Sequence, residues 1–317
     1  MTKPVKGRPP EVIDFMVQNL KADPEGFMGP WFMGLVAITY MMGVIISQVT
    51  KYFSTFGYES PRLFLLVVSC SLLSVAQWAV IMIAEWDWCV ANYGDWRRFA
   101  EVPWEAAAVS VITWLTVFVS QLFFASRCYT LYGRSKLVFG GLLLGMTTCL
   151  GIFMFLAAII AIDPFNFPLI EGLSVSGLAT HVATDVAITV LTLWKICQRG
   201  KMYSHKTQQG LIRLRNMIVE AAVPPTTCVI LKMCFTFGMG KKNLISHWFA
   251  IITPTLYVWS MMFTLNSRVA VRQAFNAPTK DEDETLSTGF QFANLQVSTC
   301  KFGQAESAGQ PRLSPDV

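Results

Sequence analysis

The sequence predicts an all-α, polytopic membrane protein with seven transmembrane helices, its N-terminus outside and its C-terminus in the cytosol. Three observations carry that prediction. Of 317 residues, 53% are hydrophobic and only 14% charged, against roughly 25% charged in soluble domains. Mean hydropathy is +0.46, and apolar stretches of spanning length occur seven times. Lys and Arg gather on one set of loops between those stretches. The net charge of +5 is therefore a membrane-topology signal and not a nucleic-acid one. The lipid bilayer is the expected partner, and nucleic acid is not.

Residues 1–30 read as a short exterior segment. They hold no apolar run of signal-peptide length, so the first span itself is expected to target the chain. A bilayer core of about 30 Å needs about 20 residues of helix. The matching stretches are Trp31–Thr50, Leu63–Ala84, Trp104–Ser126, Leu137–Ile162, Leu173–Ile196, Asn216–Gly238 and Trp248–Thr264. Together they make a membrane domain over residues 31–267. Gly140, Gly141, Gly145, Pro224, Pro225 and Pro254 fall inside spans, where packed neighbours tolerate them. Residues 268–317 change character, with the run Asp281–Glu284 followed by Ser, Gly, Gln and Pro. Such a stretch buries too little apolar surface to offset chain entropy, and reads as a disordered cytosolic tail.

Orientation follows from loop charge. The loops holding Lys51, Arg62, Arg127, Arg134, Lys136, the cluster from Lys195 to Arg215, and Arg268 and Arg272 carry thirteen basic residues. The opposite loops carry five: Lys21, Arg97, Arg98, Lys241 and Lys242. The positive side faces the cytosol. Trp31, Trp86, Trp88, Trp104 and Trp248 mark the other boundary as an aromatic belt. Of eight cysteines, most lie in spans or at their inner ends and only Cys89 is clearly in an exterior loop. No disulfide framework is expected, no zinc spacing occurs, and neither metal nor cofactor is implied.

Polar groups inside the spans supply the site candidates. The third span has Ser110, Thr113, Ser120 and Gln121 in helical register, and the fifth has Ser174, Gly177, His181, Thr184 and Asp185. The seventh shows Thr253, Tyr257, Ser260, Thr264 and Ser267 on one face. Each stripe alone reads as packing contact between helices. Three stripes with ionisable groups point to a polar intramembrane cavity. His181 lies about 12 Å below the outer end of its span and Asp185 near mid-bilayer, where a charge costs about 3 kcal/mol by insertion scales. Lys232, about 9 Å from the outer end of the sixth span, is within snorkelling reach. Glu220, about one turn inside the inner end, is placed to pair with Arg213, Arg215 or another inner-leaflet base. The binding or proton-handling candidates are His181, Asp185, Glu220, Lys232, Gln121 and Tyr257. Pro224 and Pro225 lack amide N–H groups, so the carbonyls of Glu220 and Ala221 lose their helical partners and a kink is expected.

Over about residues 29–272 the chain resembles a family of fungal seven-span membrane proteins of unknown function. The carrying segments are Gly29-Pro30-Trp31, Ser120 to Arg127, Thr184-Asp185-Val186, Leu211-Ile212-Arg213 leading to Val219-Glu220, Leu256-Tyr257-Val258 and Leu265-Asn266-Ser267-Arg268. The resemblance maps the family's polar positions onto Gln121, Asp185, Glu220, Asn266 and Arg268. The departure is Ala221-Ala222-Val223 and a double proline, where the family usually reads Glu-Thr-Gly. The resemblance implies a topology and no activity.

Function is open among three classes, taken in this order. A receptor-like or sensory protein fits seven spans, a six-base inner loop and a cytosolic tail able to meet a signalling partner. Ser126-Arg127-Cys128-Tyr129 is not an acidic-Arg-Tyr motif, however, and the seventh span lacks Asn-Pro-x-x-Tyr. A rhodopsin is excluded, since that span has no lysine for a Schiff base. The second class is a membrane-embedded, cofactor-free cyclase or isomerase of a lipophilic small molecule such as a terpenoid, with Asp185 as general acid. The third is a transporter, with His181 and Asp185 as a proton relay; no repeat halves support it.

Overall fold

The computed structural model describes residues 10–56, 61–100, 104–162, 166–200, 205–238 and 245–268. The remaining residues, including the acidic run and nearly all of the tail expected to be disordered, lie outside the described residues. The helices are α1 (Pro10–Ala22), α2 (Pro24–Phe56), α3 (Pro61–Trp86), α4 (Trp96–Ala100), α5 (Trp104–Leu131), α6 (Lys136–Ile162), α7 (Phe167–Gly200), α8 (His205–Gly238) and α9 (Ile245–Asn266). A π-helical turn at Asp87–Ala91 extends α3. Among the described residues no strand occurs, and seven helices are long and apolar enough to cross a membrane.

These are α2, α3, α5, α6, α7, α8 and α9, and they coincide with the seven expected spans. Several run further than the apolar stretch, because helix continues into the polar flanks. α2 starts at Pro24 where Trp31 was expected, and α7 and α8 each extend to 34 residues. The start of α2 has a local cause: Asp23 Oδ1 accepts the Gly26 amide at 3.0 Å, and Pro24 occupies the first helical position, where a missing N–H costs nothing. The segment before it is itself helical. Ile13 and Leu20 of α1 pack with Phe27 and Trp96, and Arg97 meets Asp14 at 3.6 Å.

Each spanning helix packs on its chain neighbour, and α2 and α9 close the ring. α5 lies against both α7 and α9. α9 is the most enclosed: 72% of its spanning window is buried, against 17% for α2. A helix surrounded by others can carry polar groups on several faces provided they find partners inside the protein. The periphery is the reverse. Tyr40, Leu65, Leu72, Leu144, Phe155 and Trp194 stand exposed, an apolar belt that calls for lipid as its solvent.

Several hydroxyls of the spanning helices bond within their own helix. Thr116, Thr180, Thr184 and Thr192 bond the carbonyl four residues back on their own helix, the usual way for a hydroxyl to be satisfied in an apolar setting. The cross-helix bonds come from fewer groups. Gln77 of α3 donates to the Ile251 carbonyl at 3.0 Å, and Asn266 donates to the Gln48 carbonyl at 3.0 Å. α8 runs through Pro224 and Pro225 as helix. The Ala221 carbonyl, deprived of its partner by Pro225, accepts the Ser260 hydroxyl of α9. The freed acceptor thus ties α8 to α9.

Candidate functional site

Four of the six candidate residues converge where α5, α7 and α9 meet. Gln121 Nε2 donates to Asp185 Oδ1 at 2.7 Å. Tyr257 donates its hydroxyl to Asp185 Oδ2. The same hydroxyl lies 3.1 Å from His181 Nε2, which is 3.7 Å from Asp185 Oδ2. All four side chains are buried, His181 completely. The spacing of His181 and Asp185 sets one turn of α7 between them and so aims both at Tyr257.

The direction of this chain of bonds is set by what each group lacks. His181 Nδ1 is buried and has no hydrogen-bond partner among the described residues. A bare ring nitrogen is cheaper to bury than an N–H without an acceptor. The network therefore assigns the proton to Nε2. His181 Nε2–H then donates to the Tyr257 oxygen, Tyr257 O–H to Asp185 Oδ2, and Gln121 to Oδ1. Asp185 accepts at both oxygens, as an ionised carboxylate does, and the bonds to it are charge-assisted. An arrangement of this kind makes a mid-membrane carboxylate tolerable without a fixed cation.

The aromatic surroundings hold the ring in place. Trp114 stacks on Phe153 with centroids 3.3 Å apart and meets His181 edge-on at 5.2 Å. Phe153 in turn fills the space over Gly177, where a Cβ would stand 2.7 Å from the ring. Only a residue without a side chain lets α6 and α7 come this close. The glycine thus sets the position of the wall behind His181.

Lys232 does not join the hydrogen-bonded network. Its Nζ sits 5.4 Å from the Trp114 centroid and 6.0 Å from that of Phe153, a cation–π arrangement. Glu220 stands apart altogether. It is exposed on α8, and no ion pair joins it to another described residue. The pairing expected with Arg215 is not formed, and the Arg213 side chain lies outside the described residues.

Asp185, Gln121 and Tyr257 also line a cavity of about 70 Å³ between α5, α7, α8 and α9. The volume suits a few waters or part of an apolar chain. Its wall is mainly carbon, from Phe124, Ile188, Ile218, Ala222 and Pro225. Thr264 lines it as well, fully buried, its hydroxyl without a hydrogen-bond partner among the described residues. Arg127 lines it too, about 9 Å from Gln121 along α5. A second hollow of about 200 Å³ lies beside the π turn, lined by Trp88, Asp95 and Trp96 among others. There Asp87 and Arg98 pair with each other at 3.0 Å.

Residue types and spacing do not reveal several of the groups the fold brings inside. Gln77 carries no signal because one amide in an apolar run has no periodic partner. Glu85 and Glu105 are buried near span ends, where sequence places them at a polar boundary. Arg127 stands out for loop charge and motif, and nothing in its spacing reveals a cavity. Among the described residues no group of His, Cys, Asp and Glu is arranged to hold a metal ion, and the cysteines there are free.

A family model described as a family of unknown function (DUF6534) matches residues 181–270. The match begins at His181 and covers the second half of α7, α8 and α9, so it includes Asp185, Glu220, Lys232 and Tyr257 but neither Gln121 nor Arg127. No curated protein matches the chain, and no solved structure does. Over less than a third of its length, then, this chain is similar to a family of no stated activity.

Proposed function

We propose that the protein is a receptor-like membrane sensor that holds a lipophilic small molecule in the cavity between α5, α7, α8 and α9. In this reading the N-terminus is outside and the C-terminal tail reaches a cytosolic signalling partner. One observation carries it: the residues that knit three helices together, Gln121, Asp185 and Tyr257, are the ones that line the cavity. A molecule entering there meets the network directly. Its differential contacts bias how α5, α7 and α9 sit against one another, which is what a ligand must do to shift a conformational equilibrium. The orphan hydroxyl of Thr264 gives such a ligand a polar contact.

An enzyme is the second reading, favoured by the Tyr257 hydroxyl, a proton donor facing a largely apolar cavity. The donor pattern weighs against Asp185 as the resting acid, because both its oxygens accept. A deletion strain complemented with Asp185→Asn separates the two. Sensing predicts a changed transcriptional response with an unchanged metabolite profile. Accumulation of one lipophilic precursor with loss of its product would overturn sensing in favour of catalysis.

A further inference from the structure

We infer that the cavity takes the head and the first carbons of a single-headed amphipathic anion, its oxyanion head at Arg127 and the start of its alkyl chain along the wall towards Tyr257. This rests on the ligand-binding reading above and names the ligand's chemistry. Arg127 is partly buried and lines the cavity. One face of its guanidinium lies over Phe123, 5.6 Å from the ring centroid. None of its side-chain N–H groups is bonded to a described residue, and no described carboxylate lies within ion-pair distance of it. Arg127 sits just past the apolar stretch of α5, one turn before the helix ends at Leu131. A carboxylate or phosphate head matches its planar fork of donors.

The rest of the cavity limits the body attached to that head. From Arg127 to Gln121 the wall runs about 9 Å along α5, and it is mainly carbon. Asp185 closes the far end, both oxygens already occupied. It repels a second anionic head and is already engaged by Gln121 and Tyr257. The ligand therefore carries its anionic charge at one end only, the Arg127 end, which faces the cytosol in the proposed orientation.

The full-length protein in phosphatidylcholine nanodiscs tests this with labelled octanoate, octanol and octylamine. Octanoate is expected to bind at least tenfold more tightly than octanol. Arg127→Gln should bring octanoate down to the octanol level while leaving octanol unchanged. If that variant does not reach the membrane, Arg127→Lys carries the test, with octanoate weakened several-fold and still preferred. Adding phosphatidylserine distinguishes sources: competition with octanoate makes a leaflet lipid the natural supplier of the head, and its absence points to a free amphiphile. Equal binding of octanoate and octanol by the unaltered protein overturns the anion inference and leaves the cavity reading standing, as does a preference for octylamine. Failure of all three probes to bind refutes both.

Discussion

Tyr257→Phe removes one oxygen from the middle of α9 and leaves the ring, so its effect isolates the network. The hydroxyl donates to Asp185 and accepts from His181. A bond to a charged acceptor contributes about 1.5–3 kcal/mol and a neutral one about 0.5–1.5. Couplings between membrane helices run lower, about 0.6 on average and about 1.7 at most. Here the abandoned partners are enclosed, with His181 0% and Asp185 6% exposed. Part of the loss returns when His181 Nε2, 3.7 Å from Oδ2, turns to the carboxylate. A net destabilisation of about 2 kcal/mol is the expected balance, a factor of about 30 in the folded-to-unfolded ratio. Helical circular dichroism during SDS titration in mixed micelles measures it. The double variant with Asp185→Asn should fall short of additivity by about 1 kcal/mol. A change below about 0.5 kcal/mol, the range of ordinary surface substitutions, would refute the reasoning that Tyr257 holds Asp185.

Asp185→Asn can still accept from Tyr257 while Gln121 turns its amide, so the variant is expected to insert at normal levels by quantitative blotting yet to lose function; Asp185→Leu strands both donors and should lose expression too. Ser260→Ala leaves the Ala221 carbonyl of the double-proline turn unpartnered and should cost about 1 kcal/mol in the same titration. Gly177→Val drives methyl groups into Phe153 and should cost about 1–3 kcal/mol, with Gly177→Ala nearer the lower figure. Glu220→Gln, on the exposed face of α8, should stay within about 0.5 kcal/mol of the parent and keep its phenotype.

The spans are legible in the sequence because bilayer thickness imposes a length on every one of them, and apolar runs show it without knowledge of packing. Their ends are less so: α2 begins seven residues early because Asp23 and Pro24 build a helix start in polar sequence. His181 and Asp185 stand out as ionisable groups deep in a span, and Tyr257 as part of a regular stripe. That Gln121 donates to Asp185 depends on how α5 and α7 rotate against each other, which a period of one helix does not encode. Glu220 and Asp185 look alike in sequence, both carboxylates among apolar residues. Rotation alone separates them, since the buried side of α8 runs through Met217, Ala221 and Cys228. The double proline announces two orphan carbonyls, but only the packed structure supplies Ser260 as the donor to one of them.

If the cavity beside the network holds a lipophilic molecule, the purified full-length protein carries it, and mass spectrometry of its solvent extract detects it. Ala222→Trp places an indole into the cavity from α8 without touching Gln121, Asp185 or Tyr257 as partners. Solvent extracts of the unaltered protein are expected to contain a small lipophile at near-stoichiometric level. Extracts of a stably inserted Ala222→Trp variant should lack it. Identical extracts from the two proteins would contradict the account.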